Sequence, residues 1–135
     1  MKQRVIVTCL IKRKDEYLFI KQNKPNGAYP NCYHLPGGGV NFGEDLDQAI
    51  HREIKEETNI EVKNLKHFNF DYDNLDNYKG EPHQLIFLQY TAEYASSNPK
   101  PGDDAKEIIW IKKSELAQQA NLNPATLKFL KEIKE

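Results

Sequence analysis

The chain has 135 residues, enough for one domain with a sizeable core. Its 19 basic residues stand against 20 acidic ones, a net charge of −1, so no whole-molecule field recruits nucleic acid or an acidic membrane surface. Two cysteines, Cys9 and Cys32, exclude a disulfide framework and a four-cysteine zinc site. No apolar run has the length of a membrane span, and no small-residue cleavage site follows the first apolar stretch, so the expected location is the cytoplasm.

In chain order, residues 4–13 are a β-branched run closed by charge and predict a buried strand. Lys14, Asp15 and Glu16 make a turn, and Tyr17–Ile20 is the hairpin partner. Residues 24–31 hold two prolines, a glycine and two asparagines, and read as a loop. A short extended piece at Tyr33–Leu35 leads into Pro36-Gly37-Gly38-Gly39. Asp45–Thr58 is the clearest helix: Asp45 is its N-cap, Gln48 completes a capping-box spacing, and Asn59 suits the left-handed residue after its end. Phe68, Phe70 and Tyr72 alternate with polar residues and predict a strand, their aromatic face turned to the core. Gln84–Tyr94 is a further strand, residues 96–104 a loop, and Ile108–Ile111 a last short strand. Ser114 caps a short helix, and Asn123-Pro124 opens the final one. Strands, helix, strands, helices describe an α/β fold in which helices pack on a mixed sheet.

The main helix carries acid on its apolar side. At about 100° per residue from Leu46, Ala49, Ile50 and Ile54 share one arc, and Asp47, Gln48, His51, Arg52, Lys55 and Thr58 fill the other. Glu53 and Glu57 fall inside the apolar arc, with Glu56 on its edge. Like charges on neighbouring turns of a buried face are costly unless something compensates them. A divalent cation is one such compensation, and hard oxygen ligands suit Mg²⁺ or Mn²⁺. A helix end whose glutamates simply reach water is the other reading of the same pattern. The glycine run just before the helix is either a plain turn or backbone bare enough to approach a metal or a phosphate.

Taken together, these features resemble the Nudix box, whose pattern is Gly, five residues, Glu, seven residues, then Arg-Glu, an aliphatic, any residue, Glu-Glu, any residue, Gly and an aliphatic. Gly38, Glu44, Arg52-Glu53-Ile54-Lys55-Glu56-Glu57 and Ile60 stand at the matching positions, and Asn59 replaces the second glycine. The resemblance implies an α/β/α sandwich with a mixed sheet. It also implies Mg²⁺-assisted hydrolysis of a phosphoanhydride in a nucleoside diphosphate linked to another group. Carried over residue by residue, Glu53, Glu56 and Glu57 bind metal, with the Gly38 carbonyl as a further ligand, and Arg52 holds a box glutamate in place. Glu44 supports the loop. The general base is a metal-bound glutamate or a later acid, Asp103, Asp104 or Glu107. Gly37, Gly38, Gly39 and Tyr29 are the expected contacts to a small nucleotide substrate, with Lys12, Lys21 and Lys24 as further candidates for phosphate. Family members of this size are often homodimers, but no apolar stripe singles out an interface.

For the substrate, the residues outside the box are thinner guides. Residues 2–7, 35–40 and 121–126 are similar to nucleoside triphosphatases of the family that prefer pyrimidine deoxynucleotides. This implies a triphosphate cleaved to monophosphate and pyrophosphate. Leu75 and Asp76 stand where ADP-ribose enzymes of the family carry a proline, and Tyr78 is a weak match to the tyrosine of dinucleoside polyphosphate enzymes. ADP-ribose, nucleotide sugars and dinucleoside polyphosphates are the alternative substrates. A non-catalytic nucleotide-binding module is the rival class; such modules usually lose box glutamates, and this chain keeps them all.

Overall fold

The β-branched opening run forms β1 (Lys2–Arg13), which turns at Lys14 and Asp15 into β2 (Glu16–Gln22) with Lys12 opposite Tyr17 and Arg13 opposite Glu16. The computed structural model describes residues 1–22, 32–96, 98, 105–118 and 121–133. The expected loop at 24–31 and most of the one at 96–104 lie outside them, as do Lys24, Tyr29, Asp103 and Asp104. After them come β3 (Tyr33–His34), β4 (Gly37–Gly39), α1 (Leu46–Thr58), β5 (Glu61–Tyr78), β6 (Glu81–Ser96), β7 (Ala105–Lys112), a 3₁₀ helix (Lys113–Gln118) and α2 (Pro124–Glu132).

The main sheet runs β3-β2-β1-β6-β5, with β4 added against β1 and β7 against β2. β1 and β6 are parallel, from Lys2 opposite His83 to Lys12 opposite Glu93, while the other pairs are antiparallel. The sheet is therefore mixed. Each face carries its own core, because side chains alternate along a strand. Val7, Cys9 and Ile11 of β1 join Tyr90 and Ala92 of β6 beneath Ala49, Ile50 and Ile54 of α1. Leu10 faces the other way, into a cluster with Tyr17, Phe19, Leu35, Ile111, Leu122 and Phe129 under α2. The two helices thus cover opposite faces, as the sandwich requires.

The helix ends follow their capping residues. The Asp45 carboxylate accepts from the backbone of Asp47 and Gln48, and Asn59 takes the left-handed conformation at φ 62°. Asn123 caps α2 by accepting from Thr126 N at 2.8 Å, with Pro124 at the first turn. Around Ser114 the chain makes a 3₁₀ helix rather than an α-helix.

Three expectations are corrected. Of the two readings of the glycine run, the plain turn gives way to a strand: Gly37, Gly38 and Gly39 pair with Thr8, Val7 and Ile6. Thr58, placed on the polar arc, is fully buried because its hydroxyl donates to the Ile54 carbonyl at 2.6 Å, which satisfies it without water. Phe68, Phe70 and Tyr72 are not core residues: they are 38%, 75% and 61% exposed. β5 is the outermost strand of the sheet, and register shifts between Lys63 and Lys66 and between His67 and Asn69 break the alternation that the aromatic spacing implied. Phe68 stacks on Phe129 of α2, whereas Phe70 and Tyr72 pair with Leu88 and Ile86 on a part of the sheet that no helix covers fully.

Candidate active site

Six residues separate β4 from α1, and the strand lies against the acidic side of the helix. The structure keeps the angular order read from the sequence. Glu57 is buried at 6% exposure, the Glu53 side chain is 14% exposed, and Glu56, on the edge of the arc, is 44% exposed.

The glycine strand is shaped by these carboxylates. Gly37 N donates to Glu57 Oε1 at 2.8 Å. A Cβ on Gly38 would lie 2.5 Å from Glu53 Oε2, and one on Gly37 would lie 2.0 Å from the Val7 carbonyl oxygen. Side chains are excluded at both positions by contact, whatever the backbone conformation.

Arg52 ties the cluster together. Its Nε and Nη2 fork onto Glu44 at 2.7 and 2.9 Å, its Nη1 reaches Glu53 Oε1 at 2.8 Å and Glu56 Oε2 at 3.3 Å, and Nη2 also donates to the Gly39 carbonyl at 3.1 Å. Glu44 accepts in addition from Asn41 N at 3.0 Å, which closes the loop between β4 and α1. The guanidinium and this backbone donor hold the Glu44 carboxyl down at about 2. Burial moves Glu53 the other way, raising its pKa despite the help of Arg52, with the neighbouring Glu56 and Glu44 charges adding to the rise.

The donor set is of the right kind for a hard divalent cation: Glu53 and Glu57 meet the bare backbone of Gly38 and Gly37, and Glu56 shares the Arg52 guanidinium with Glu53. Arg52 takes one oxygen each of Glu53 and Glu56, and among the described residues no three acidic, histidine or cysteine side chains converge into a ready cage. The residues fit the group in chemistry, and a bound cation would have to draw the carboxylates inward.

The other expected residues divide. Gly37, Gly38, Gly39, Glu44, Arg52, Glu53, Glu56 and Glu57 come together. Glu107 does not: on β7 its carboxylate accepts from the Tyr33 hydroxyl, not from any member of the Arg52 cluster. Lys21 sits over the same Tyr33 ring at 5.7 Å. Two residues with no sequence signal of their own lie near the glycine strand, Arg4 against Gly39 in space and His34 three residues before Gly37 in the chain. Arg4 Nη2 would be 2.8 Å from a Cβ on Gly39, on the side of the strand away from Glu53. His34 presents Nδ1 to the Leu35 carbonyl at 2.8 Å, so that nitrogen bears the proton; Nε2 is buried with no hydrogen-bond partner, and burial lowers the pKa.

The NUDIX domain family model matches residues 1–133. The chain belongs to the Nudix family. Its Nudix relatives include nucleoside triphosphatase NudI of Escherichia coli, 31% identical over 138 aligned positions that cover 97% of this chain and 96% of the relative. NudI of Escherichia fergusonii is 32% identical over 137 positions, covering 96% of each. Among solved structures, a MutT Nudix hydrolase from Burkholderia pseudomallei superposes with a TM-score of 0.85 at 25% identity, over 99% of this chain and 100% of that one. The Nudix domain of Shewanella oneidensis NrtR, solved with ADP ribose, superposes at 0.77 over 96% of this chain and 84% of that one; at 17% identity this likeness shows the fold alone. The protein is a Nudix hydrolase.

Proposed function

We propose that this Nudix hydrolase is a Mg²⁺-dependent nucleoside triphosphatase that releases a nucleoside monophosphate and pyrophosphate. The observation that carries the reading is the contact between the acidic arc of α1 and the glycine strand, where a Cβ on Gly38 would lie 2.5 Å from Glu53 Oε2. Bare backbone packed against clustered carboxylates supplies hard oxygen donors for a cation, which would in turn bind the polyphosphate chain. The resemblance to NudI over nearly the full length of both chains supports a triphosphate as substrate.

In this reading Glu53, Glu56 and Glu57 hold the cation with the Gly38 carbonyl. The cation, when bound, neutralises phosphate charge and polarises the attacked phosphorus. Arg52 fixes the directions of Glu53 and Glu56, and Glu44 fixes Arg52. The Gly37 N–H fixes Glu57. A water oxygen bonds to phosphorus, the bond to the oxygen bridging the α- and β-phosphates breaks, and pyrophosphate leaves. The proton of the water passes to a carboxylate of the arc, for which Glu53, facing the glycine backbone, is the best placed. Arg4, on the far side of Gly39, supplies positive charge to the bound phosphates.

The test is turnover of the eight common ribo- and deoxynucleoside triphosphates, ADP-ribose, a dinucleoside tetraphosphate and a nucleotide sugar, with Mg²⁺ and with chelator. We expect metal-dependent release of pyrophosphate from a triphosphate. Activity on ADP-ribose or another conjugate alone would overturn the substrate, and no metal-dependent turnover at all would favour a binding module.

A further inference from the structure

Gln89 lies in the middle of β6. The strand registers set Gly37 beside Thr8, Thr8 beside Gln89, and Gln89 beside Asn69, so the four residues form one row across four strands. Thr8 is two residues from Leu10 on β1 and shares its face, the one that α2 covers. Gln89 is 3% exposed, and its Oε1 has no hydrogen-bond partner. A buried orphan acceptor demands an explanation. Its neighbours do not supply one: Thr8 makes no such bond, and the Asn69 amide donates to Glu132 at the end of α2.

We propose that Gln89 is a specificity-determining residue of this chain, an amide that reads the hydrogen-bonding edge of the substrate's base. The inference rests on the reading of the substrate as a nucleotide. Two strand spacings, about 10 Å, separate Gln89 from Gly37 along the row, and Gly37 is the residue whose N–H meets Glu57. A nucleotide with its phosphates at the glycine strand and its base directed along the row beneath α2 places the base at Gln89. On this side of the glycine strand the Arg4 guanidinium borders Gly39, where it would meet the phosphates, and Phe87, two residues along β6 on the same face as Gln89, gives the base an apolar wall. A carboxamide offers an acceptor and donors side by side, the complement of the donor and acceptor pairs on base edges. A site built around such a group rejects a base that leaves it unpaired.

Two variants separate the contributions. Gln89→Met removes both functions at nearly constant shape, and Gln89→Glu keeps the acceptor but loses the donors. Equilibrium dissociation constants of the four deoxynucleoside 5′-monophosphates are measured by calorimetry for each protein, alongside kcat/KM for the four triphosphates and the melting temperature. We expect the wild type to separate its best and worst bases by at least about tenfold. Gln89→Met compresses that range to within about threefold, and Gln89→Glu shifts the order toward bases with an exocyclic amine. A wild type without base preference, or folded variants that both keep the wild-type order and range, would overturn the proposal and leave Oε1 as the host of a buried water. Loss of base discrimination in the monophosphate titrations without triphosphate turnover would sustain Gln89 and sink the triphosphatase reading. Triphosphate turnover with unchanged ranking would do the reverse.

Discussion

Arg52 meets Glu44 through two nitrogens and reaches Glu53, Glu56 and the Gly39 carbonyl with the same guanidinium. A lysine offers one compact charge and no planar fork, so Arg52→Lys should lower kcat by about 10- to 100-fold while the protein stays folded, as steady-state kinetics and circular dichroism would show. Glu44 supplies a pH test. Its folded pKa of about 2 lies below the ordinary 4.5, so the stability it contributes is full above pH 4.5 and disappears as the pH falls toward 2. Urea titrations across that window should give a shallower acid decline for Glu44→Gln than for wild type; parallel curves would show that the Arg52 bond does not bear on stability. Glu57→Gln keeps an oxygen to accept the Gly37 N–H, so the fold should survive while turnover drops about 100-fold or more. Near-normal turnover would remove Glu57 from the metal set. The carboxylate arc was legible because helical angle alone separates Glu53 and Glu57 from the solvated charges. Arg4 was not, because its place beside Gly39 depends on a strand pairing that no local pattern announces.

At the scale of elements, α2 is fastened to the outer strand by Phe129 on Phe68, Lys128 on Asp71 at 2.9 Å, and Glu132 on Asn69. Phe129 is also a fully buried member of the core under α2. Phe129→Ala should cost about 3–5 kcal/mol in denaturant unfolding, whereas Phe70→Ser and Tyr72→Ser, with exposed rings, should each stay within about 0.5 kcal/mol. The helices could be read in advance because their caps, Asp45, Asn59, Asn123 and Pro124, are local signals. The aromatic strand misled because alternation reports that a segment is extended, not that a helix covers the face in question. Asn59 shows the opposite case: asparagine in place of glycine keeps the left-handed end of α1 at φ 62°. Asn59→Gly should therefore change activity little, and a strong effect would mean that the side chain does more than cap.

For the molecule as a whole, the cluster of glutamates links metal to stability. A cation bound by the folded state alone raises the unfolding free energy by about 2.7 kcal/mol at a hundred times its dissociation constant. Mg²⁺ should therefore raise the melting temperature and chelator restore it, with the rise blunted in Glu57→Gln; an unchanged melting temperature would speak against a metal site in the resting protein. The layered class followed from the order of elements, but the sheet's centre did not. The pairing of β1 with β6, and the placing of β4 and β7, join segments far apart in the chain, where residue pattern carries no address.

That central pairing also governs when the protein can become itself. β1 lies beside β6 from Lys2 opposite His83 onward, so the central partner of β1 is made more than eighty residues after it. A parallel pair of this kind must close a long loop before any of its contacts reward the closure. During synthesis the β1–β2 hairpin and α1 can form early, but the apolar faces of both have no central floor until β6 has left the ribosome. Until then the Val/Ile-rich opening strand lacks its central partner, and Lys2, Arg4, Lys12 and Arg13 at its two ends are charges of the kind that keep an exposed strand from pairing with another chain.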